Sequence, residues 1–233
     1  MELHLFDKIQ ALERARLKAL KHGTVPKGAE LIYQHALPGA DTPLRELEFA
    51  SIDFETTGLD FAQDYILSMG GVLMRGAQID FASGFHCYLK AGDKVKNSSA
   101  VINQITPEEL YAGISPQQAL TELLNKLAGR IVICHAAVIE RSFILKLLGL
   151  KPNFRLPLIF LDTLLLEKSL LSHSGRTEDL RLAAIRERRG FPPYVCHNAF
   201  ADSVAAAEVF IAQVKEIFGS KTPTLGPLYQ RCA

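Results

Sequence analysis

The spacing of hydrophobic and polar positions differs between the beginning of the chain and the rest. Residues 3–20 place apolar side chains at helical spacing with charges between them, and Gly23 is a suitable helix end. Prolines and glycines between residues 26 and 43 predict a connector of turns. We therefore expect residues 1–48 to form an N-terminal helical extension and connector. It should pack on the main domain or on a second copy of the chain, rather than serve as a separate partner-binding arm.

The middle of the chain has the composition of β-strands. Three segments rich in apolar, β-branched and aromatic residues are separated by turn residues, at positions 49–54, 66–74 and 84–90. A fourth strand is predicted at residues 130–134, where the run RIVIC is short and continuously apolar.

Helices are predicted where capping signals precede amphipathic runs. Thr106 and Ser115 are each followed by proline at the first helical position. Further helices are expected at residues 138–148, 161–171, 178–189 and 199–218. This order is typical of an α/β fold with a mixed β-sheet flanked by α-helices. We expect the main domain at residues 49–219 and a short C-terminal tail at residues 220–233.

Composition narrows the class of protein. Hydrophobic residues make up 48% and charged residues 22%, which is ordinary for a folded domain. No apolar run reaches the roughly 18–20 residues that cross a bilayer, and the first ten residues lack a signal-peptide core. Four cysteines without CxxC spacing are typical of a reducing compartment, so we expect a cytoplasmic protein with no membrane partner. The formal net charge of +1 indicates no broad basic surface.

The clearest chemical signal follows the first predicted strand. Asp53 and Glu55 are two residues apart, so both side chains project from one face of the strand. Two like charges about 4 Å apart repel by roughly 4 kcal/mol at an effective dielectric near 20, which a bound cation would offset. Oxygen ligands of this kind suit Mg²⁺ or Mn²⁺. Thr56, Thr57 and Gly58 follow directly and are suited to contact a phosphate or sugar.

Two later segments add acids and a histidine. Asp202 falls in the first turn of the last long helix, where the helix dipole favours a carboxylate. His197, in the loop before that helix, is placed to act on a nearby water. Glu140 lies near the start of a helix, just after the predicted strand at 130–134.

These segments together resemble the three motifs of the DnaQ-like 3′–5′ exonucleases. The matching segments are Asp53-Phe-Glu55-Thr-Thr-Gly58, His135-Ala-Ala-Val-Ile-Glu140 and His197-Asn-Ala-Phe-Ala-Asp202, and Leu161-Asp-Thr-Leu164 matches a further segment. The resemblance covers about residues 49–219. It implies an RNase H-like fold in a superfamily that includes proofreading subunits of bacterial DNA polymerase III and several RNases. The histidine five residues before the last aspartate is typical of the branch with a catalytic histidine.

The resemblance implies a two-metal phosphodiesterase. Asp53 would bridge two divalent cations, Mg²⁺ or Mn²⁺, while Glu55 and Asp202 would help to hold the first. Glu140 would stand at the place of the fourth acid, as a direct or an indirect ligand. His197 would be the general base, since an unperturbed pKa near 6.5 suits that role near neutral pH. The expected substrate contacts are Thr56, Thr57, Gly58, Leu59 and His135, the last of them at the rim of the site or in a structural role.

The second motif departs from the family pattern. Ala136 stands where asparagine is usual, and Glu140 stands where aspartate is usual. The longer side chain moves the carboxylate by roughly 1–1.5 Å, and catalysis is sensitive to displacements of that size. We expect a modified but active site. The alternative is a catalytically weakened nucleic-acid-binding or scaffold module on the same fold.

The expected partner is the 3′ end of single-stranded DNA or RNA, which the sequence does not distinguish. Without the four proposed site acids, 26 basic residues face 21 acidic ones, a net charge of +5 that allows a short 3′ end to be held through metals. Proteins of DNA replication or repair are candidates for further partners, and a homodimer is a further expectation to test. The resembled proofreading subunits carry a long tail after the exonuclease domain, whereas about fourteen residues follow Gly219. That difference favours a free-standing RNase or oligoribonuclease.

Other features have simpler explanations. The pairs Cys134-His135 and Cys196-His197 lack the spacing of a zinc finger, so no zinc site is expected. The arginine-rich segment 176–189 has a net charge of +2 and is expected to be a solvated helix face, with contact to phosphates as the alternative. Glu208 is expected at the surface or behind a metal ligand.

Overall fold

The computed structural model describes residues 7–90, 105–172 and 178–232. The strands in these ranges are β1 (Glu48–Thr56), β2 (Ile66–Arg75), β3 (Gln78–Tyr88), β4 (Ile131–Cys134) and β5 (Phe160–Asp162). The helices are α1 (Asp7–His22), α2 (Glu30–Gln34), α3 (Pro107–Ala112), α4 (Pro116–Leu127), α5 (Val138–Leu147), α6 (Thr163–Ser172), α7 (Leu182–Arg188), α8 (Ala199–Phe218) and α9 (Leu225–Cys232). A short 3₁₀ turn spans Leu44–Glu46.

The five strands form one mixed sheet in the order β3-β2-β1-β4-β5. β1 lies at the centre, antiparallel to β2 and parallel to β4, and β5 is parallel to β4. The predicted mixed sheet flanked by helices is confirmed. Because β1, β4 and β5 run in the same direction, their carboxyl ends meet at one edge of the sheet, where the motif residues follow.

Alternation along β1 assigns its side chains to the two faces of the sheet. Ala50, Ile52 and Phe54 belong to the apolar cluster that includes buried residues of α4 and α5. On the other face, Phe49 packs with the α8 residue Phe210 at a ring-centroid distance of 5.6 Å. Asp53 and Glu55 share this second face by the same alternation, so they point towards α8.

Both ends of the described chain pack against the α8 side of the sheet. Ile9 and Leu12 of α1 share an apolar cluster with Leu225 and Leu228 of α9. The N-terminal helix therefore contacts the main domain of its own chain. The residues expected as a tail include a helix with two fully buried leucines. Among the residues that the structure describes, no helix combines the length and apolar character needed to cross a bilayer.

The two capping signals each located the start of a helix correctly. Thr106 forms the predicted capping box with Glu109, and Ser115 accepts a hydrogen bond from the amide of Gln118. The prediction of a helix at 161–171 is wrong for residues 161 and 162. Phe160–Asp162 pair with β4 as a strand, and the helix begins at Thr163. A short apolar run at this position fits a strand or a helix by periodicity alone.

Two other boundaries also differ from the sequence prediction. β3 begins at Gln78, six residues before the expected start. The helix expected from residue 178 begins at Leu182, because the Asp179 carboxylate accepts a hydrogen bond from the Arg181 amide at 2.9 Å. Local bonds of this kind compete with helical ones.

Candidate active site

The first turn of α8 lies directly against the centre of the sheet. Gly70 of β2 pairs with Asp53 of β1, and a Cβ at Gly70 would lie 2.3 Å from the backbone nitrogen of Phe200. The Ser51 hydroxyl donates to the Ser203 carbonyl at 2.6 Å, which joins β1 to the same helix turn. This close approach of backbones places the start of α8 beside the end of β1.

Three carboxylates meet as a result. Asp53, Glu55 and Asp202 each offer an oxygen within 4.8 Å of the others. Glu55 is buried, with 7% of its surface exposed, and the other two residues are half-buried. The set is compact enough to surround a single divalent cation with oxygen ligands.

Glu140 lies deeper than these three acids. Its residue is 1% exposed, and its Oε2 has no hydrogen-bond partner within the described residues. A buried carboxylate oxygen without a partner is costly, so this atom fits a site completed by a cation or by a water that a cation holds. Glu140 does not line the open cleft described below.

Burial and repulsion from neighbouring carboxylates raise the pKa of Asp53, Glu55 and Glu140. The pKa of Asp53 is well above its usual range, first through desolvation and then through the charges of Glu140, Asp202 and Glu55. Desolvation and the nearby Asp202 raise the pKa of Glu55 to about 7, and desolvation raises that of Glu140 to about 8. The arrangement therefore disfavours full ionisation at neutral pH unless cations are bound.

We expect the metal-free protein to lose thermal stability as the pH rises from 5 to 8.5. In the unfolded chain Glu55 and Glu140 ionise near pH 4.5, whereas in the folded chain they hold their protons up to pH values of about 7 and 8. Folding therefore becomes less favourable across that interval. Mn²⁺ or Mg²⁺ binds the ionised carboxylates, so the rise in Tm caused by metal should grow with pH.

The measurement is the Tm at several pH values, first in chelator and then at increasing Mn²⁺ concentrations. Glu122→Gln, an exposed glutamate on α4, is the control and should keep the wild-type pH dependence. A metal-free Tm that rises steadily from pH 5 to 8.5 would contradict the expectation, as would an absence of any metal effect at pH 8.

His197 lies exposed in the loop that leads into α8. Its φ angle is 62°, in the left-handed region, where histidine is one of the more frequent non-glycine residues. The loop is closed by Asp202, whose Oδ1 accepts from the Tyr194 hydroxyl at 2.5 Å and whose Oδ2 accepts from the Asn198 amide at 3.1 Å. His197 therefore lies in a loop segment between Tyr194 and Asn198, which both donate hydrogen bonds to Asp202, and it lines the cleft.

The turn of the second motif is held by Asp162, whose role sequence reasoning missed. Its two carboxylate oxygens accept hydrogen bonds from the amides of Ala136 and Ala137, each at 3.0 Å. Ala136 has a φ of 67°, a conformation that costs an ordinary residue roughly 1–2 kcal/mol and that asparagine adopts more readily. The position usually occupied by asparagine is thus a strained turn that the Asp162 carboxylate stabilises.

His135 is anchored by both ring nitrogens. Nδ1 lies 2.9 Å from the Thr163 hydroxyl and Nε2 lies 2.9 Å from the Leu180 carbonyl. Burial lowers its pKa. His135 lines the cleft, and these two contacts hold its ring in one orientation as part of the cleft wall.

A compact loop after β1 forms the outer wall. The Asp64 carboxylate accepts from the Thr57 hydroxyl at 2.7 Å and from the Asp60 amide at 2.8 Å. A Cβ at Gly58 would lie 2.5 Å from the same carboxylate, so a larger residue there would displace the Asp64 side chain from these bonds. The loop presents Leu59, 75% exposed, at the cleft.

The predicted site residues line one open cleft of about 420 Å³, with the exception of Glu140. The lining residues are Asp53, Phe54, Glu55, Thr56, Thr57, Gly58, Leu59, His135, Ile139, Leu182, His197 and Asp202. Residues from all three motifs thus meet around one space, although successive motifs are more than 50 positions apart in the sequence.

The arginine-rich segment forms ion pairs within the protein. Arg186 is 4% exposed and pairs with Glu208, so it does not belong to a solvated helix face. Arg188 and Arg189 both reach Glu167, at 3.2 and 2.7 Å. In the described part of the segment Arg181 also pairs with a carboxylate, that of Asp179; Arg176 lies outside the described residues. These contacts support a structural role.

Comparison with known proteins agrees with this geometry. The profile of the exonuclease family matches residues 51–210. The DNA polymerase III PolC-type protein of Thermotoga maritima is 32% identical over 179 residues, which are 75% of this chain and 12% of that protein. The DNA polymerase III subunit epsilon-like protein of Rhodobacter capsulatus is 29% identical over 192 residues, 80% of this chain and 26% of that protein.

Solved structures of E. coli exonuclease I have a similar fold. Its complex with a dT13 oligonucleotide gives a TM-score of 0.61 at 16% identity, covering 73% of this chain and 41% of that chain. A zinc-bound complex with single-stranded DNA gives a TM-score of 0.62 at 17% identity, covering 75% and 42%.

A mixed sheet with an acidic cluster at its edge defines a nuclease-type domain, in a fold family that uses divalent metals. The chain belongs to the exonuclease family, and its domain is of the DnaQ-like 3′–5′ class that the three motifs predicted. It spans about an eighth of the PolC-type relative and about a quarter of the epsilon-like one.

Proposed function

We propose that this protein is a metal-dependent 3′–5′ exonuclease that hydrolyses phosphodiester bonds at the 3′ ends of single-stranded DNA or RNA. The products would be nucleoside monophosphates. The observation that supports this most is the meeting of Asp53, Glu55, Asp202 and His197 around one open cleft.

Two divalent cations, Mg²⁺ or Mn²⁺, fit the chemistry of this cluster because every offered ligand is a carboxylate oxygen. Asp53, Glu55 and Asp202 would hold the first ion, and Asp53 would be shared with the second. The unpartnered Oε2 of Glu140 would complete the second position directly or through a water. When bound, two such ions lower the pKa of an attacking water and neutralise charge that develops on the phosphate.

The protein's own groups would supply the remaining steps. His197, exposed at the cleft, would accept the proton of the attacking water. Leu59 would lie against the terminal base, because the Asp64-centred loop holds it at the mouth of the cleft. His135 and Ile139 would form the opposite wall.

The distribution of charge supports a short, single-stranded substrate. Arg181, Arg186, Arg188 and Arg189 are already paired with carboxylates, so they offer no free basic track for a long duplex. Exonuclease I, which has a similar fold, has been solved with dT13 and dA16 oligonucleotides and with single-stranded DNA. The DNA polymerase III relatives support DNA as the first substrate to assay and replication or repair proteins as partners to test.

A second candidate function is a nucleic-acid-binding or scaffold module with weakened catalysis. It is supported by Ala136, which lacks an amide side chain, and by Glu140, which lies outside the lining of the cleft. Calorimetric titration with Mn²⁺ separates the two functions, because the weakened module should not bind two ions.

We expect His197→Ala to lower the rate of 3′ nucleotide release by about 10²–10⁴-fold, the usual contribution of a general base. Matched 5′-labelled DNA and RNA oligomers with Mn²⁺ or Mg²⁺ would show shortening from the 3′ end. They would also decide between a DNA exonuclease and a free-standing RNase. His22→Ala, an exposed histidine on α1, is the matched control. An inert wild type would defeat the proposed function, and equal rates for wild type and His197→Ala would defeat the assigned base.

A further inference from the structure

Tyr194 makes a contact that the proposed chemistry does not use. Its hydroxyl donates to Oδ1 of Asp202 at 2.5 Å, although the residue does not line the cleft. We propose that Tyr194 is a positioning residue: it fixes the carboxylate of the metal ligand Asp202 and, through the loop between them, the place of His197. This inference rests on the proposed function, which makes Asp202 a ligand.

The Asp202 carboxylate closes the loop at two points. Oδ1 accepts from Tyr194, eight residues earlier, and Oδ2 accepts from the backbone amide of Asn198 at 3.1 Å. His197 lies between these two donors, with its backbone in the left-handed region. The same two bonds therefore set the rotation of the carboxylate and close the loop that carries the histidine.

The Arg186 guanidinium packs over the ring of Tyr194, 4.8 Å from the centre of that ring. The arginine is buried, pairs with Glu208, and donates to the Ala205 carbonyl at 3.4 Å. Glu208 and Ala205 belong to α8, as Asp202 does. Tyr194 is thus attached to α8 through its ring and through its hydroxyl, so its direction towards Asp202 is fixed by packing.

Hydrogen bonds of this kind orient metal ligands. The Asp202 carboxylate accepts one bond from Tyr194 and one from the Asn198 backbone amide, and it keeps its other lone pairs for a cation. Without the Tyr194 bond only the Asn198 amide holds it, and the carboxylate can rotate about its last side-chain torsion. Loss of such an outer partner typically weakens metal binding or activity by 10–100-fold.

The test is Tyr194→Phe in the full chain, which removes the hydroxyl and keeps the ring against Arg186. We expect the Mn²⁺ dissociation constant, measured by calorimetry without nucleic acid, to rise by about 10–100-fold. The Mn²⁺ concentration that gives half-maximal nuclease rate should rise by a similar factor. Tyr111→Phe is the control, since Tyr111 is 87% exposed on α3 and should leave both values unchanged.

The outcomes distinguish loss of the positioning role of Tyr194 from loss of the nuclease function. Equal Mn²⁺ affinity in Tyr194→Phe and wild type would overturn the positioning role. A purely structural role would lower the unfolding midpoint and leave the Mn²⁺ affinity of the folded protein unchanged, which also overturns it. A wild type that neither binds Mn²⁺ nor shortens oligonucleotides defeats the proposed function itself, and that result is visible before any variant is compared.

Discussion

Asp53→Asn should abolish metal-supported turnover and at the same time raise the Tm of the metal-free protein at pH 8. Asp53 is the central acid of the cluster, within 4.8 Å of Glu55 and Asp202 and in electrostatic contact with Glu140. Losing a ligand shared by two cations would remove several kcal/mol of charge stabilisation. We therefore expect the nuclease rate to fall by about 10³-fold or more.

The expected rise in the Tm of metal-free Asp53→Asn comes from the loss of a charge that is unfavourable without a cation. Desolvation and three neighbouring acids raise the pKa of Asp53, so its ionisation at pH 8 opposes folding when no cation is bound. Asparagine has nearly the same shape and no charge. Asp41→Asn, at an exposed position, should change neither the rate nor the Tm. Full activity in Asp53→Asn would count decisively against the site, whatever its effect on stability.

Gly70→Ala should lower both the nuclease rate and the stability of the protein. A methyl group at Gly70 would lie 2.3 Å from the Phe200 nitrogen and 2.4 Å from the Ala199 carbonyl carbon, and both atoms are backbone. The first turn of α8 must therefore move, and it carries Asp202. A displacement of about 1 Å at a reacting group can cost 10²-fold in rate, and overpacking costs typically 1–3 kcal/mol of stability.

Nuclease rates over a range of Mn²⁺ concentrations, together with thermal melts, measure this effect. Gly39→Ala is the control, because a Cβ there would meet nothing closer than the Thr42 hydroxyl at 3.7 Å. Wild-type turnover in Gly70→Ala would show that the position of α8 does not depend on this contact.

Local patterns were sufficient to predict much of the site. The two-residue spacing of Asp53 and Glu55 places both on the face of β1 that meets α8, because side chains alternate along a strand. The capping signal at Thr106 is equally local, since its partner Glu109 is three residues away.

Other features depend on contacts that no local pattern records. Tyr194 reaches Asp202 only because the loop folds back, and Arg186 reaches Glu208 across 22 positions. Gly70 appears as an ordinary strand glycine until α8 is seen against it. Asp162 belongs to a segment that matches the family, but its bonds to the amides of Ala136 and Ala137 follow from the pairing of β4 with β5.

The raised pKa values of the cluster also determine how a pH–rate curve of this enzyme is to be read. At scarce metal, loading the site releases protons from carboxyls such as Glu55, with its pKa of about 7, so the acidic side of the curve reports metal occupancy. At saturating metal those protons are already gone, and the acidic side of the curve no longer reports metal occupancy. Two curves measured at different Mn²⁺ concentrations therefore separate metal loading from the ionisations that affect the chemical step.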